Sequence, residues 1–129
     1  MIVVDTNILV YHWLPSPYTE QVKSLLLKDP DWRVPILWRS EIRSALGGAF
    51  RASIITYEQL IQILEEAHLF LDSKEYVPES ERVMNLYKES KCSAYDCEYV
   101  ALAQSLQAKL ATFDKEILKE FPKIAFKPK

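Results

Sequence analysis

The sequence predicts an α/β fold, in which a mainly parallel sheet of four to five short strands carries helices on both faces. Short apolar runs of strand length alternate along the chain with longer segments whose apolar residues recur at helical spacing. This alternation is typical of a parallel sheet, because each strand is joined to the next by a helix. The chain has 129 residues, which suits a single domain over residues 1–129 rather than two domains.

Each predicted element has its own signals. Apolar runs bounded by turn residues predict strands at residues 2–4, 32–34, 75–77, 109–113 and 124–126. Helical spacing predicts helices over residues 7–14, 18–28, 37–52, 56–71, 79–89, 93–107 and 115–121. Pro15 ends the first helix, and Thr56 is the predicted N-cap of the fourth. Gly47 and Gly48 lie inside the third helix at a cost of about 1 kcal/mol each relative to alanine, which suggests a close backbone approach or a bend.

The composition is that of a globular protein, with 49% hydrophobic and 26% charged residues. No stretch approaches the roughly 20 apolar residues of a membrane span, and the N-terminus lacks the basic start and cleavage site of a signal peptide. We therefore expect a cytoplasmic protein without membrane contact. Cys92 and Cys97 have no histidine cluster beside them and are too few for a zinc site of the usual ligand count, so both are predicted to be free thiols.

Three aspartates stand apart from the other aspartates of the chain. Of the six, three lie in predicted turns, where aspartate is common, and the exceptions are Asp5, Asp96 and Asp114. Asp5 and Asp114 each follow a predicted strand, so parallel strands bring both to the edge of the sheet where ligands bind in open α/β folds. The alternative is that each only caps the helix that follows it.

Two acids within predicted helices have unexpected neighbours. Asp96 shares a helical stripe with Val100 and Ala103, which indicates that it faces the core side of its helix; the alternative is a capping box with Ser93. Glu41 borders an apolar face and small residues on the third helix. Its alternative is an exposed position paired with a basic side chain.

The chemistry of clustered carboxylates favours a joint interpretation. Several carboxylates at close range cannot all stay ionised without a counter-charge, and the usual one is a hard divalent cation such as Mg²⁺ or Mn²⁺. Such ions activate water for attack on a phosphodiester.

The net charge of −2 argues against a broadly basic surface. If four of the 18 acids bind metal ions, however, the rest of the chain has 16 basic and 14 acidic side chains and is slightly basic. The only glycines, Gly47 and Gly48, form no phosphate-binding loop.

Four stretches of the sequence resemble the PIN-domain ribonucleases, and most closely the toxins of VapBC-type toxin–antitoxin pairs. They come in the family's order and span nearly the whole chain: residues 3–10, 40–46, 95–103 and 110–115. Where many relatives carry asparagine this chain has Ser44, and few relatives have a double glycine shortly after it. These departures lie near Glu41 and leave all four acids in place.

The resemblance implies a three-layer α/β/α PIN-like fold and a metal-dependent endoribonuclease that acts as a toxin. It implies that Mg²⁺ or Mn²⁺ is held by an acidic quartet, with hydrogen-bonding support from three polar residues. The quartet is Asp5, Glu41, Asp96 and Asp114, and the supporting residues are Thr6, Asn7 and Thr112. It further implies an RNA substrate, a cognate antitoxin and a homodimer.

Two other classes of protein compete with this interpretation. One is a catalytically silent PIN-fold module that only binds RNA or protein. The other is a phosphotransfer receiver or aspartyl-phosphate phosphatase, which also places aspartates at strand ends. The phosphatase has a second aspartate two residues beyond the first, whereas Asn7 stands at that position here. His12 and His68 are predicted to be helix-surface or packing residues rather than catalytic bases.

Basic and aromatic residues near the motifs leave several interpretations open. Side chains that flank the acids either bind RNA phosphates or are solvated helix charges; these are Arg39, Arg43, Arg51 and Lys115. The aromatic residues stack on unpaired bases, form a groove for a partner, or belong to the core; these are Tyr11, Trp13, Tyr18 and Trp38.

Overall fold

A computed structural model describes residues Met1–Lys129, which form five strands and seven helices. The strands are β1 (Ile2–Val4), β2 (Trp32–Pro35), β3 (Glu75–Tyr76), β4 (Leu110–Ala111) and β5 (Ala125–Phe126). The helices are α1 (Thr6–Trp13), α2 (Thr19–Lys28), α3 (Trp38–Arg51), α4 (Tyr57–Phe70), α5 (Ser80–Glu89), α6 (Ala94–Leu106) and α7 (Lys115–Glu120).

The five strands form one sheet in the order β3-β2-β1-β4-β5, and every neighbouring pair is parallel. The prediction of a parallel α/β sheet is therefore confirmed. Starting from β1, the chain builds the sheet outward through β2 and β3, and then returns to the other side of β1 for β4 and β5. The strand order thus reverses between β1 and β4, and a crevice opens beyond the carboxyl ends of these two strands.

Hydrophobic clusters of similar size cover the two faces of the sheet. Ile2 and Val4 belong to a cluster of 14 buried residues on one face, whereas Val3 belongs to a cluster of 13 on the other. This split follows from the two-residue period of a strand, which sends successive side chains to opposite faces. The fold therefore has three layers, as the sequence predicts, and β1 lies in the middle of both cores.

The loop after β4 differs from its prediction as a strand over residues 109–113. The strand covers only Leu110–Ala111. The Thr112 N–H still donates to Phe126 of β5 at 3.1 Å, and the backbone N–H groups leave the sheet from Phe113 onward. The Thr112 hydroxyl donates to Asp5 and accepts the backbone N–H of Asp114, and the Phe113 N–H donates to Asn7. The segment that leaves the sheet is thus tied to the residues that follow β1.

The expectation of a close backbone approach at Gly47 and Gly48 is wrong. Both glycines lie within the continuous helix α3, and a Cβ placed at either would meet no atom within 4 Å. The helix thus has room for a side chain at both positions.

Several smaller predictions are confirmed. Thr56 caps α4 in a capping box with Gln59, and both cysteines are free and buried. His12 packs against Trp32, and its pKa is lowered by burial.

No helix has both the length and the apolar character needed to cross a membrane.

Trp38 and Arg39 have structural partners. The Trp38 side chain is fully buried, and its indole N–H donates to Glu75 at 2.6 Å. The guanidinium of Arg39 grips the same carboxylate with two bonds of 2.6 Å, which holds the pKa of Glu75 below its usual range. These contacts join α3 to β3, and the fully buried Trp38 ring is not available to stack on a base.

Gly48→Ala is expected to raise the free energy of unfolding by about 0.5–1 kcal/mol. Alanine is a better helix former than glycine, and the site has open space for a methyl group. Urea unfolding monitored by circular dichroism measures the change. Arg51→Ala, in the same helix, serves as the control and should alter stability by less than about 0.5 kcal/mol. A loss of stability in Gly48→Ala would contradict the open space.

Candidate active-site cleft

The crevice beyond the carboxyl ends of β1 and β4 is a cleft of about 420 Å³. Four acids and six uncharged residues line it: Asp5, Glu41, Asp96, Asp114, Thr6, Asn7, Val10, Tyr11, Ser44 and Ala45. The structure thus brings together all four acids that the sequence singled out. No lysine, arginine or histidine is part of the lining, so all of its charged residues are acids.

Each of the four acids lies at the N-terminal end of a helix. Asp5 and Asp114 are the N-caps of α1 and α7, while Glu41 and Asp96 lie in the first turns of α3 and α6. The unpaired N–H groups at a helix start carry partial positive charge and stabilise a nearby carboxylate. Capping and clustering are therefore compatible, since the aspartates cap their helices and still line the cleft.

Asp5 is the most deeply buried of the four acids, with 8% of its surface exposed. Its Oδ1 accepts the backbone N–H of Thr6 at 2.7 Å, and its Oδ2 accepts the Thr112 hydroxyl at 2.7 Å. The Asn7 amide lies 3.4 Å from the same Oδ2 and 3.5 Å from the Thr112 hydroxyl oxygen. These contacts fix the Asp5 carboxylate at the point where β1 passes into α1.

Two hydroxyl groups donate hydrogen bonds to one carboxylate oxygen of Glu41. Its Oε1 accepts the Tyr99 hydroxyl at 2.6 Å and the Thr6 hydroxyl at 2.9 Å. The two hydroxyl oxygens are also in contact with each other. Burial, followed by the charge of Glu41, raises the pKa of the Tyr99 phenol, which therefore stays protonated and can donate. One oxygen of Glu41 is thus fixed.

The Asp114 carboxylate is held by the start of α7, whereas the bond at Asp96 involves its backbone. Oδ1 of Asp114 accepts the N–H groups of Glu116 and Ile117 at 2.9 and 3.0 Å. The backbone N–H of Asp96 donates to the Ser93 hydroxyl at 3.0 Å. Both carboxylates are partly exposed at the mouth of the cleft.

The electrostatics of the cleft disfavour four bare carboxylates. Burial is the largest cause that raises the pKa of Asp5, to about 7, and the charges of Glu41 and Asp96 add to it against the opposing bond from Thr112. Burial and then the charge of Asp114 raise the pKa of Asp96 as well. Neither acid is paired with a basic side chain, so the cleft has an excess of negative charge that a cation would relieve.

The donor set fits a hard divalent ion. Carboxylate and hydroxyl oxygens are the ligands that Mg²⁺ and Mn²⁺ prefer, and the cleft offers no thiol or imidazole. The side chains as they stand do not form a coordination shell, since no three Asp, Glu, His or Cys residues are arranged to hold one ion. The structure therefore gives a shared acidic cleft of suitable chemistry.

Two residues near the acids were not predicted from the sequence. Tyr99 holds Glu41 from the helix that carries Asp96, and its three-residue spacing from Asp96 was the available signal. Ser44 lines the cleft one helical turn after Glu41, although the sequence pointed to it only as a departure from relatives. The predicted supporting residues Thr6, Asn7 and Thr112 all lie within hydrogen-bond distance of an acid.

The fold and the cleft define a three-layer α/β protein with an acidic cleft at the switch point of a parallel sheet. The PIN domain model matches residues 2–127, so the chain belongs to the PIN-domain family. The resemblance drawn from the four sequence stretches is thereby confirmed.

Known proteins similar to the chain agree with this membership. It is 24% identical over 124 residues to Ribonuclease VapC3 from Pyrobaculum aerophilum, covering 94% of this chain and 95% of that protein. A solved toxin–antitoxin complex from Klebsiella pneumoniae matches with a TM-score of 0.74 at 20% identity, covering 100% of this chain and 98% of the other. FitAcB from Neisseria gonorrhoeae matches with a TM-score of 0.68 at 20% identity, covering 98% and 96%. The two structures share the fold over nearly their whole length.

Asp5→Asn is expected to change the stability of the ion-free protein in a pH-dependent way. In the folded chain the pKa of Asp5 is about 7, above the value of about 3.9 in an unfolded chain. Between these values the folded protein holds a proton that the unfolded chain releases, so this group lowers wild-type stability as the pH rises. Relative to wild type, the variant should be more stable at about pH 8 than at about pH 5, by about 2 kcal/mol.

Urea unfolding in the presence of a chelator, at both pH values, measures this difference. Asp72→Asn changes an exposed turn residue and serves as the control, whose effect should not depend on pH. A stability difference between Asp5→Asn and wild type that is the same at both pH values would contradict the raised pKa.

Proposed function

We propose that this protein is a metal-dependent endoribonuclease and the toxin of a toxin–antitoxin pair. The observation that carries the proposal is the cleft itself, where four carboxylates on four separate helices meet without a basic side chain. Membership in the PIN-domain family and the similarity to Ribonuclease VapC3 support the choice of RNA as substrate. The divalent ion is Mg²⁺ or Mn²⁺, by the hard-oxygen chemistry of the donors.

The four acids have two different roles in this proposal. Asp5, Asp96 and Asp114 are the metal ligands in this proposal, and Glu41 helps to hold the ion or orients the attacking water. When bound, the ion supplies an activated water and offsets negative charge on the scissile phosphate.

The remaining residues of the cleft keep the acids in place. The Thr6 N–H and the Thr112 hydroxyl each donate to one oxygen of Asp5. Only the remaining lone pairs of these two oxygens are available to a ligand in the cleft. Thr6 and Tyr99 fix one oxygen of Glu41 and leave the other oxygen for the cleft. Asn7 bridges the ends of β1 and β4 through Asp5 and Thr112. Such supporting groups reduce the rearrangement that binding requires.

The proposal includes a cognate antitoxin that covers the cleft and a homodimer as the active form. Both follow from the resemblance to VapBC-type toxins, and the matched structure from Klebsiella pneumoniae is a toxin–antitoxin complex. An antitoxin segment that enters the cleft would need positive charge to offset the acids. Purification of the chain with the protein encoded beside it tests this part of the proposal.

Asp5→Asn and Asp96→Asn are each expected to abolish RNA cleavage. Either change removes a negative oxygen ligand, so activity should fall by about 100-fold or more, beyond the 10–100-fold typical of outer-shell groups. Cleavage of a labelled RNA is measured with chelator, with Mg²⁺ and with Mn²⁺. Asp72→Asn is the matched control, since its aspartate lies in an exposed turn. Undiminished cleavage by both site variants would defeat the assignment.

The alternative of a silent PIN-fold binding module makes a different prediction for the same sample. A module that only binds RNA or protein has no need of ions at these acids. Titration of Mn²⁺ into wild-type protein by calorimetry should show binding that Asp5→Asn removes. Absence of ion binding, together with absence of cleavage, would favour the module.

Tyr99→Phe is expected to weaken activity through Glu41 while the fold is kept. The change deletes one of the two hydroxyl bonds to the carboxylate and preserves the buried ring. Activity at limiting Mn²⁺ should fall by about 10-fold and recover in part at higher concentrations of the ion. The exposed Tyr95→Phe is the control. An unchanged dependence on Mn²⁺ would show that Tyr99 does not position Glu41.

A further inference from the structure

One part of the cleft carries no charge. Beyond the acids and the residues that support them, its lining consists of four residues on two helices: Val10 and Tyr11 of α1, and Ser44 and Ala45 of α3. We call these four residues the neutral rim. Tyr11 follows Asn7 by four positions and Ser44 follows Glu41 by three, so each lies one helical turn beyond a residue of the acidic part. The neutral rim therefore continues the cleft along α1 and α3.

The uncharged polar side chains of the acidic part are already engaged with acids. The Thr6 hydroxyl donates to Glu41 at 2.9 Å, and the Asn7 amide lies 3.4 Å from an oxygen of Asp5. These donors hold the carboxylates in place, so they are not free for a ligand. A phosphate group that enters the cleft therefore needs other hydrogen-bond donors.

The two hydroxyl groups of the neutral rim have no partner within the chain. The hydrogen bonds at the cleft involve neither the Tyr11 hydroxyl nor the Ser44 hydroxyl. Ser44 is exposed and Tyr11 is half-buried. The buried side-chain polar atoms that lack a partner belong to His12 and Trp32. Both hydroxyls of the neutral rim are therefore open to solvent, where they can donate to a ligand.

The Tyr11 ring is packed although its hydroxyl is free. Its centroid lies 5.3 Å from that of Tyr18 and 5.4 Å from that of Phe113. Aromatic contacts at these distances stabilise the position of a ring. Because the ring is already held, a bond to its hydroxyl costs little further side-chain freedom.

We propose that the Tyr11 and Ser44 hydroxyls position the substrate by donating hydrogen bonds to its phosphate oxygens. The proposal rests on the proposed nuclease function and adds two substrate-binding residues to it. In this arrangement the acids serve the ion, and the neutral rim serves the phosphodiester group.

Neutral donors suit this place better than basic side chains. A lysine or arginine on the rim would pair with the acids and offset the charge that favours a divalent ion. A hydroxyl leaves that charge unchanged, and its bond to an ionised phosphate is stronger than a bond between neutral groups. The neighbouring Val10 and Ala45 side chains are apolar, and a lower local dielectric strengthens such a bond further.

The first test measures RNA affinity with and without the ion. Stopped-flow anisotropy follows binding of fluorescein-labelled decauridylate to the full chain in Mn²⁺ and in chelator, before the RNA is cleaved. Tyr11→Phe and Ser44→Ala should each weaken binding in Mn²⁺ by about 10-fold, as expected for the loss of one hydrogen bond to a charged group. In chelator both should match wild type, because four bare carboxylates repel phosphate from the cleft. The exposed Tyr95→Phe and Ser80→Ala are the controls.

Three results of this test would overturn the proposal. Unchanged affinity of either variant in Mn²⁺ would overturn the role of that residue. An equal loss in Mn²⁺ and in chelator would place the contact outside the ion-loaded cleft. Titration of Mn²⁺ by calorimetry should give the same ion affinity for both variants as for wild type, and a weaker affinity would assign the hydroxyls to the ion instead of the phosphate.

The second test separates the hydroxyl from the shape of the side chain. Ser44→Thr keeps a hydroxyl and should bind decauridylate like wild type, whereas Ser44→Val has the shape of threonine and should lose about 10-fold in affinity. Equal affinities of these two variants would overturn the role of the Ser44 hydroxyl. Thermal unfolding of each variant checks that the fold is kept.

Cleavage kinetics separate positioning from chemistry. Tyr11→Phe should raise KM and leave kcat unchanged, because it removes a bond made equally in the ground state and the transition state. A lower kcat at unchanged KM would place the hydroxyl in the chemical step and overturn its positioning role.

Failure of this proposal is distinguishable from failure of the proposed nuclease. Mn²⁺ that strengthens decauridylate binding equally in wild type and both variants would overturn the role of the neutral rim and leave the nuclease. Mn²⁺ that does not strengthen binding to wild type would overturn the metal-dependent nuclease together with the ion-dependent contact. Variants that lose only affinity for the antitoxin would assign the neutral rim to that partner and overturn the proposal.

Discussion

The fixed position of the Asp5 carboxylate is the constraint on which the rest of the site depends. It lies where the central strand passes into α1, at the point where the sheet order reverses. Burial makes its charge costly, while the Thr6 N–H and the Thr112 hydroxyl keep it in one orientation. Because Thr112 directly follows β4, the hydroxyl bond that orients Asp5 also ties the end of β4 to the residue between β1 and α1. Sheet topology and site chemistry are therefore joined in one set of contacts.

The four helix starts explain how a folded chain can hold so much negative charge in one cleft. The N–H groups of Glu116 and Ile117 satisfy one oxygen of Asp114, and comparable bonds serve Asp5. Helix ends contribute only partial charges, typically worth less than about 1 kcal/mol each at exposed positions. The raised pKa values of Asp5 and Asp96 indicate that this support is incomplete. A site that is held in place but short of positive charge favours cation binding.

The sequence predicted the fold and the location of the cleft because both follow from local patterns. Short apolar runs and helical spacing identified the strands and helices, and acids at strand ends pointed to one edge of a parallel sheet. The partners of Glu41 could not be predicted in this way. Thr6 and Tyr99 are 35 and 58 residues away along the chain, and only the tertiary structure brings their hydroxyls to one oxygen of Glu41.

The surroundings of the glycine pair and of the aromatic residues also could not be predicted from local sequence spacing. A glycine lowers helix propensity whether or not a neighbour needs its space, so Gly48 alone did not reveal that its surroundings are open. Likewise Trp38 and Tyr11 have similar helical settings in the sequence. The first is fully buried against Glu75, whereas the second lines the cleft. Burial of an aromatic side chain is set by long-range packing, which local spacing does not encode.

The small net charge of the chain conceals an uneven distribution of its charges. One cleft has four acidic and no basic side chains, whereas a second cleft, between α2 and the C-terminal segment, has three lysines and no acidic side chain. None of these lysines forms a salt bridge with an acid of the first cleft. The net charge of −2 is therefore the sum of separate local excesses of opposite sign, so the acidic cleft keeps the negative charge that favours a cation.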